Sequence, residues 1–383
     1  MRFLHTADWH LGRLLHGVSL IEDQAHALDE LVALARDCRP DAVLISGDIY
    51  DCAVPPTEAV ALLDDALCRL LLDLRLPVVV IAGNHDSPYR LGFAARLLSA
   101  VGLHVIGEPR AAPAPLVLDD RHGAVEVFCL PYAEPAVVRE RLGLDDGVRD
   151  HDGAMRAQIG ALPRDRRRRA VLLGHAFVGG GAECESERPL SVGGAGTVGA
   201  DCFGDGFAYV ALGHLHRPQV FAHGRVRYCG SLLKYSFSEA EHAKSVSLVE
   251  IDRDGATAVE EVALTTRRDL RRLRGTLDEL LRGPRCDDYL AVELEDRGAL
   301  LDPMNRLREV YPNLLRIERP LYAPDAPPRG PGGDAAERRD MVGLFEDFFE
   351  QVTGAPAGPE ELAAFAEVWG DVELARREGT VAP

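Results

Sequence analysis

Five short polar motifs each end an apolar, strand-like run and open a loop. In chain order they read TADWHLG, ISGDIYD, AGNHD, LGHAF and LGHLH. Glycines directly before Asp48, Asn84, His175 and His214 permit sharp turns and close approach of the backbone. In open α/β sheets the carboxyl ends of the strands face the ligand crevice, so one cleft can collect all five motifs. The pattern therefore predicts an α/β fold with a single polar cleft.

The order of the elements refines that fold. Up to about residue 110, strand-like segments alternate with helix-like runs at 24–37, 57–73 and 89–101, which is typical of an α/β layered fold. From about Pro115 the pattern changes to strands with shorter helices, as a second sheet packed on the first would require. We therefore predict a four-layer α/β/β/α sandwich for residues 1–265.

Three further segments follow the sandwich. Residues 266–321 are predicted to form a small α+β cap domain, and residues 322–340 a Pro/Gly-rich linker with little capacity to form a core. Residues 341–383 return to helical periodicity. Leu344, Phe345, Phe348, Phe349 and Val352 form one apolar stripe. Leu362, Phe365 and Trp369 form another, so we predict a helical segment that binds a partner protein.

Composition restricts the function. The net charge of −18 argues against a general polyanion binder, so any DNA contact must be local, assisted by metal or shared with a basic partner. The eight cysteines show no zinc-type pairing and suit free thiols in a reducing compartment. Apolar runs are far shorter than the ~20 residues of a membrane span. A cytoplasmic location without membrane association is the expectation.

The polar motifs together supply oxygen and nitrogen donors. Two aspartates, one asparagine and several histidines suit borderline divalent ions such as manganese better than calcium or structural zinc. Seven or more ligands exceed what one ion takes, whereas two ions that share a carboxylate would use the whole set, as in many phosphatases and nucleases. The remaining histidines lack this context and are interpreted as structural or solvated: His5, His16, His26, His104, His122, His151, His223 and His242.

The five motifs resemble the signature of the calcineurin-like metallophosphoesterases. More narrowly, MRFLHTADWHLG, SGDIYDCAVPP, GNHDSP, ALGHLHRPQ and YCGSLLKYSFSE resemble the SbcD family of bacterial exonuclease subunits, over nearly the whole chain. That family is related to the eukaryotic meiotic-recombination and break-repair nuclease. The resemblance implies two divalent metal ions, with Mn2+ expected. One would be held by Asp8, His10, Asp48 and His216, and the other by Asp48, Asn84, His175 and His214.

Catalytic roles also follow from the resemblance. His85 would orient the scissile phosphate or protonate the leaving 3′ oxygen, and Asp86 would position His85 by accepting a hydrogen bond. Archaeal relatives carry a second catalytic histidine where this chain has Asp51. Candidate DNA contacts are Arg13, His16 and Lys234, each with a solvated side chain as the open alternative. The arginine-rich run at 164–169 is interpreted as a solvated turn away from the metals.

The resemblance implies a two-metal phosphodiester hydrolase that works with an SbcC-type, SMC-like ATPase. Its expected activities are a 3′ to 5′ exonuclease on duplex ends and an endonuclease on single strands and hairpins, with the cap domain recognising DNA ends. Homodimerisation within a heterotetramer is expected through the helices at 57–73 and 89–101. Two alternatives stay open: a phosphatase or cyclic-nucleotide phosphodiesterase, and a catalytically silent scaffold for the ATPase. The intact ligand set argues against the scaffold, because buried polar groups cost free energy without a ligand.

Overall fold

The structure is a computed structural model that describes residues 1–111, 113–144, 147–165, 167–187, 196–296, 298, 300–320, 345, 346, 349 and 356–377. The strands are β1 (Arg2–Thr6), β2 (Leu14–Leu15), β3 (Val18–Ser19), β4 (Ala42–Ile45), β5 (Val78–Ile81), β6 (Leu103–Ile106), β7 (Leu116–Asp120), β8 (Gly123–Leu130), β9 (Arg169–His175), β10 (Phe177–Val178), β11 (Thr197–Val198), β12 (Tyr209–Gly213), β13 (Gln219–Phe221), β14 (Val226–Tyr228), β15 (Ser245–Ile251), β16 (Thr257–Ala263), β17 (Leu270–Gly275), β18 (Tyr289–Leu294) and β19 (Leu314–Glu318). The helices are α1 (Ile21–Cys38), α2 (Thr57–Cys68), α3 (Pro88–Leu91), α4 (Ala95–Leu98), α5 (Pro135–Leu142), α6 (His151–Gly160), α7 (Leu277–Leu281), α8 (Pro303–Arg308) and α9 (Pro359–Arg377).

Two six-stranded sheets dominate the architecture. The first has the strand order β16-β15-β1-β4-β5-β6 and the second β13-β14-β12-β9-β8-β7. In the first sheet β1, β4, β5 and β6 pair in parallel. In the second sheet β8, β9, β12 and β14 also pair in parallel. The carboxyl ends of the central strands in each sheet therefore share one edge, where the polar motifs of the sequence fall.

Alternating side chains build the layers. On β4, Val43 and Ile45 pack into a core with α1, whereas Leu44 points to the opposite face and packs between the sheets. Val171 of β9 belongs to that same inter-sheet core, and Leu172 packs on the outer face of the second sheet with residues of α6. The predicted four-layer α/β/β/α sandwich is confirmed.

One predicted helix is interrupted in the structure. The run 89–101 is not a single helix: α3 and α4 are each one turn long, and a 3-10 turn, Ser99–Val101, follows. Ala94 separates the two helices with φ of +56°. A right-handed helix requires φ near −60°, so the left-handed residue ends it. The run 57–73 likewise changes from α2 into a π-helical turn, Arg69–Asp73.

The chain divides into two compact units. The first comprises Met1–Leu273, Arg285–Ala291 and Tyr311–Arg316, and the second Arg274–Pro284, Val292–Val310 and Ile317–Pro383. A three-stranded sheet has the order β17-β18-β19. The predicted boundaries of the cap domain stay a prediction, and the linker at 322–340 lies outside the described residues. Within the described part of the chain, no helix has the length and apolar character needed to cross a membrane.

Candidate metal centre

The seven predicted ligands lie together at the carboxyl edge of the two sheets, all within the first unit. Four follow strands β1, β4 and β5 of the first sheet, and three end or follow strands β9 and β12 of the second. All except the half-buried Asn84 are buried. The predicted ligands are Asp8, His10, Asp48, Asn84, His175, His214 and His216. The parallel strand ends thus bring distant parts of the sequence to one place.

The donor atoms form two clusters. Asp8, His10 and His216 offer ligand atoms that all lie within 4.8 Å of one another, and so do Asp48, His175 and His214. In the first cluster the Nε2 atoms of His10 and His216 are only 3.0 Å apart. Two ring nitrogens that face each other so closely are well placed to bind one cation between them.

Asp48 belongs to the second cluster and also faces the first. Its Oδ2 atom is 3.7 Å from His10 Nε2 and 3.5 Å from His175 Nε2. Asn84 completes the second cluster, with its Oδ1 atom 2.9 Å from His175 Nε2 and 3.1 Å from His214 Nδ1. One carboxylate therefore contacts an imidazole from each cluster, which is the position of a ligand that bridges two ions.

The protonation of these side chains fits a divalent ion. Burial lowers the pKa of His10, His175 and His214, and it lowers the pKa of His216 to about 3. The imidazoles are therefore neutral near pH 7 and keep a lone pair for a metal. Neutral imidazoles combined with carboxylate and amide oxygens form a donor set that suits manganese or a similar ion.

The two buried carboxylates also favour a cation. Burial raises the pKa of Asp8 well above its usual value, and the negative charge of Asp48 raises it further. Burial alone would raise the pKa of Asp48 too, but His175, His10 and His85 lower it below its usual range. Carboxylates so close together in a buried site repel each other, and bound divalent ions would offset that repulsion.

Backbone strain concentrates at the same place. Asp8, His10, Asp48 and His214 have φ of +53°, +45°, +50° and +110°. Residues other than glycine in sparsely populated regions with positive φ cost of order 1–3 kcal/mol each and persist only where the surrounding structure enforces them. Four of the seven predicted ligands are therefore held in conformations that the rest of the fold stabilises.

Two of the glycines before the ligands are required by close approach. A Cβ atom on Gly83 would lie 2.1 Å from Asp48 Oδ1. A Cβ atom on Gly213 would lie 2.1 Å from the carbonyl oxygen of Ser46. Any side chain at these positions would displace the loops that carry the ligands, as the repeated glycine before a polar residue predicts.

His85 lies beside the clusters. Its Nδ1 atom is 2.7 Å from the carbonyl oxygen of Asp51, and its amide donates to Asp48 Oδ1 at 2.9 Å. If Nδ1 donates to that carbonyl, Nε2 is the ring atom left for a substrate, and only the form that carries a proton there as well can donate to a phosphate oxygen. The His85 ring also packs edge-on against His10, with the ring centroids 4.7 Å apart.

The predicted hydrogen bond between Asp86 and His85 is wrong. The Asp86 carboxylate accepts from the amides of Ile49, Tyr50 and Gly83 at 3.1, 3.0 and 2.9 Å. It therefore ties the loop after β4 to the loop after β5. Asp51 supplies the partner of His85 through its backbone carbonyl, which no pattern of side chains could indicate.

Most of the side chains predicted to contact DNA form hydrogen bonds or ion pairs within the protein. Arg13 donates to Asp51 Oδ1 at 2.8 Å and to the Ser186 carbonyl at 3.2 Å. The Lys234 ammonium pairs with Asp269 at 2.8 Å and donates to the Ala240 carbonyl at 2.5 Å, so it is neither solvated nor free to face the cleft. The ring of His16 lies 5.5 Å from that of Phe237.

The arginine-rich turn is only partly solvated. Arg169 is buried and pairs with Asp120 at 2.6 Å, which corrects the prediction that the whole run is solvated. Arg168 is exposed but pairs with Glu126 at 2.7 Å. Both arginines therefore stabilise the second sheet through ion pairs.

Sequence reasoning missed Gln24, a fully buried residue on α1. Its Nε2 atom donates to the His10 carbonyl at 2.7 Å, and its Oε1 atom accepts from the Gly12 amide at 3.0 Å. Gln24 thus holds the loop that carries Asp8 and His10. A polar residue on the buried face of an amphipathic helix was the signal that could have found it.

Comparison with known proteins agrees with this geometry. Residues 1–218 match the calcineurin-like phosphoesterase family, and residues 266–353 match the SbcD_C family, the type 5 capsule protein repressor C-terminal domain. In an alignment of 397 positions, the chain is 36% identical to the D subunit of the nuclease SbcCD from Bacillus subtilis (strain 168). The match covers 97% of this chain and 99% of that protein.

Two solved structures are also similar. The protein TT1561 of Thermus thermophilus has a TM-score of 0.40 and 14% identity, with coverage of 68% of this chain and 98% of its own. A dimetal phosphatase from Danio rerio has a TM-score of 0.39 and 12% identity, with coverage of 69% and 98%. Given the family matches and the 36% identity over nearly its full length, the chain belongs to the calcineurin-like phosphoesterases and, within them, to the SbcD family of nuclease subunits, and is a phosphodiester hydrolase.

Proposed function

We propose that this chain is the Mn2+-dependent DNA nuclease subunit of an ATP-dependent complex with an SbcC-type, SMC-like ATPase. Its activities are a 3′ to 5′ exonuclease on duplex ends and an endonuclease on single strands and hairpins, in DNA repair and recombination. Because these substrates are DNA, we place the protein in the cytoplasm, associated with the nucleoid. The observation that carries the proposal is the Asp48 carboxylate between two clusters of neutral histidines.

The chain's residues divide into ion-holding and substrate-facing groups. Asp8, His10, Asp48 and His216 would hold one ion, and Asp48, Asn84, His175 and His214 the other. Bound ions would polarise the phosphate and activate water for in-line displacement. His85 is outside both sets and would orient the scissile phosphate or give a proton to the leaving 3′ oxygen.

A nuclease assay tests the proposed function. The purified chain would be incubated with duplex ends, hairpins, single-stranded DNA and a small phosphomonoester, with Mn2+ or Mg2+, and with or without its ATPase and ATP. We expect Mn2+-dependent cleavage of single strands and hairpins by the chain alone, and ATP-stimulated digestion of duplex ends with the ATPase. Hydrolysis of the monoester without cleavage of DNA would favour the small-molecule phosphatase instead.

An apolar surface supports the proposed homodimer. In the segment from α3 to the turn after α4, four side chains are 70%, 80%, 77% and 56% exposed, namely those of Tyr89, Phe93, Leu97 and Val101. Large side chains this exposed within one short segment mark an interaction surface. We propose that this surface pairs with a second copy of the chain, so that two nuclease subunits join in a heterotetramer with the ATPase.

Phe93→Asp is expected to convert the dimer into a monomer, because a charge at the centre of the apolar surface must be desolvated when two copies meet. Light scattering after size exclusion would show half the mass of the wild type. Val220→Asp is the matched control, since Val220 is an exposed apolar residue on the edge strand β13. A Phe93→Asp chain that stays dimeric would contradict the proposed interface.

The C-terminal segment is proposed to bind the ATPase. In the described part of that segment, the rings of Phe345 and Phe365 stack with centroids 4.3 Å apart, and Phe365 also lies parallel to Trp369 at 6.4 Å. All three side chains remain half-buried. Leu344, Phe348 and Val352 of the predicted stripe lie outside the described residues. A partly exposed aromatic stack on an acidic segment suits a groove lined by basic residues on a partner.

Deletion of residues 341–383 is expected to leave Mn2+ binding and partner-free cleavage of single-stranded DNA largely intact, because the candidate ligands lie in the first unit. ATPase binding and ATP-stimulated digestion of duplex ends should fall. Phe365→Ala combined with Trp369→Ala should reproduce the loss, whereas Val368→Ala, at a position 63% exposed, should not. Co-purification of the truncated chain with the ATPase at undiminished affinity would refute the proposal.

A further inference from the structure

A buried polar network surrounds the imidazole of His216. The His216 Nδ1 atom lies 2.8 Å from Ser186 Oγ, and Ser186 Oγ lies 2.5 Å from Glu239 Oε1. The other carboxylate oxygen of Glu239 accepts from Lys244 Nζ at 2.6 Å. Ser186, Glu239 and Lys244 are at most 5% exposed, so the network is shielded from water.

The chemistry of these groups fixes the direction of each hydrogen bond. An ammonium has only donors, and a carboxylate paired with it has only acceptors. Because Glu239 can only accept, the Ser186 hydroxyl must donate to it. That hydroxyl is then left to accept from His216, so Nδ1 carries the proton. The Nε2 atom keeps its lone pair, and it faces His10 Nε2 across 3.0 Å in the first cluster.

We propose that Glu239 and Ser186 are positioning residues that hold His216 in its Nδ1–H tautomer and thereby set the metal affinity of the first cluster. This inference rests on the proposed metal centre and adds two residues to it. A histidine ligand whose other ring nitrogen donates toward a carboxylate has a fixed orientation and is a stronger donor.

The backbone of His216 is fixed by separate contacts. Its carbonyl accepts from Lys244 Nζ at 2.7 Å, and its amide donates to Glu187 Oε1 at 2.7 Å. Loss of the Ser186 hydroxyl would therefore remove the partner of the ring and leave the main chain anchored. The proposed effect concerns the tautomer of one ligand and not the folding of the loop.

The other ligands use different supports. His175 Nδ1 lies 2.8 Å from the backbone carbonyl of Ser46, which no side-chain substitution removes. His10 Nδ1 faces the half-exposed Asp51 carboxylate at 3.4 Å. His175 of the second cluster is therefore held without Ser186 or Glu239. A change at Ser186 should weaken the binding of the ion at the first cluster more than that of the other ion.

A buried ion pair supports this interpretation. Replacement of such a pair by apolar residues is often neutral or stabilising, so its presence is weak support for a role in stability alone. The Glu239–Lys244 pair contacts both the side-chain partner and the carbonyl of a predicted ligand. The position of this ion pair therefore suits a role in orienting the His216 side chain.

The test uses the full chain stripped of metal and titrated with Mn2+, with the free ion followed by electron paramagnetic resonance. We expect two sites in the wild type and in Ser186→Ala, with one site of the variant weakened by about 10- to 100-fold and the other unchanged. Ser247→Ala is the matched control, because Ser247 is a buried serine on β15 that lies outside this network. This control should bind both ions as the wild type does.

A second measurement reads the tautomer in the wild type itself. Nitrogen-15 spectra of histidine in the metal-free wild type report the tautomer of each ring, and His216→Asn identifies the signal. We expect the Nδ1–H form. An Nε2–H form, or a Ser186→Ala chain that binds both ions normally or loses both equally, would overturn the inference. A wild type that binds no Mn2+ would overturn the proposed metal centre itself.

Discussion

Replacement of Asp48 with alanine is expected to abolish nuclease activity and to release metal from both sites. The Asp48 carboxylate lies within 3.7 Å of an imidazole from each cluster, so its loss would remove a proposed ligand from both ions at once. Two cations would then face each other without the anion that screens their repulsion. Metal content by mass analysis decides the matter, and two tightly held ions in Asp48→Ala would refute the bridging role.

Asp48→Asn provides the control for the backbone. Asp48 has φ of +50°, a conformation that asparagine tolerates better than alanine does. The asparagine variant should therefore keep the loop and the thermal stability of the metal-free protein while it loses the charge. Loss of metal from both variants would assign the effect to the carboxylate. Retention of both ions by Asp48→Asn would show that the backbone, and not the charge, holds the site.

His85→Ala should separate catalysis from metal binding. The His85 side chain is oriented by the Asp51 carbonyl and is not among the predicted ligands. We expect a loss of at least the ~10²-fold that is typical of a missing general acid, with two Mn2+ ions still bound. The rate would be measured on single-stranded DNA without the ATPase, so that partner binding does not enter.

His104→Ala is the matched control for that loss. His104 is a half-buried histidine on β6, away from the strand ends that carry the ligands. Its variant should cleave at the wild-type rate. Normal cleavage by His85→Ala would show that the catalytic role is misassigned, and loss of metal from the same variant would instead make His85 a ligand.

The gathering of the predicted ligands at one edge could be foreseen because it follows from two simple patterns. Apolar runs that end in polar residues place Asp8, Asp48 and His175 at strand ends, and parallel pairing brings those ends to one edge. The β4 segment, Ala42–Ile45, is apolar throughout, as a strand that is buried on both faces requires. These features depend on the type and order of residues, which a sequence states directly.

Other features of the site depend on contacts that residue types do not encode. His85 bonds to the backbone carbonyl of Asp51, and every residue has such a carbonyl whatever its side chain. The sequence therefore contained no indication of this partner, and the prediction of Asp86 instead was wrong. The left-handed backbone at Asp8 and His10 is imposed by the surrounding loops. Ser186 and Glu239 are 30 and 23 residues away from His216 in sequence, and only the folded chain places them beside its ring.

The division of the ligands between the two sheets has a consequence for folding. The first sheet supplies Asp8, His10, Asp48 and Asn84, and the second supplies the three remaining histidines, so ions bound at both would link the sheets across their shared core. An unfolded chain cannot offer this donor set. Each ion present at 100 times its dissociation constant would add about 2.7 kcal/mol to the free energy of unfolding. The supply of metal would then govern how often the two sheets separate, and with it the lifetime of the folded protein.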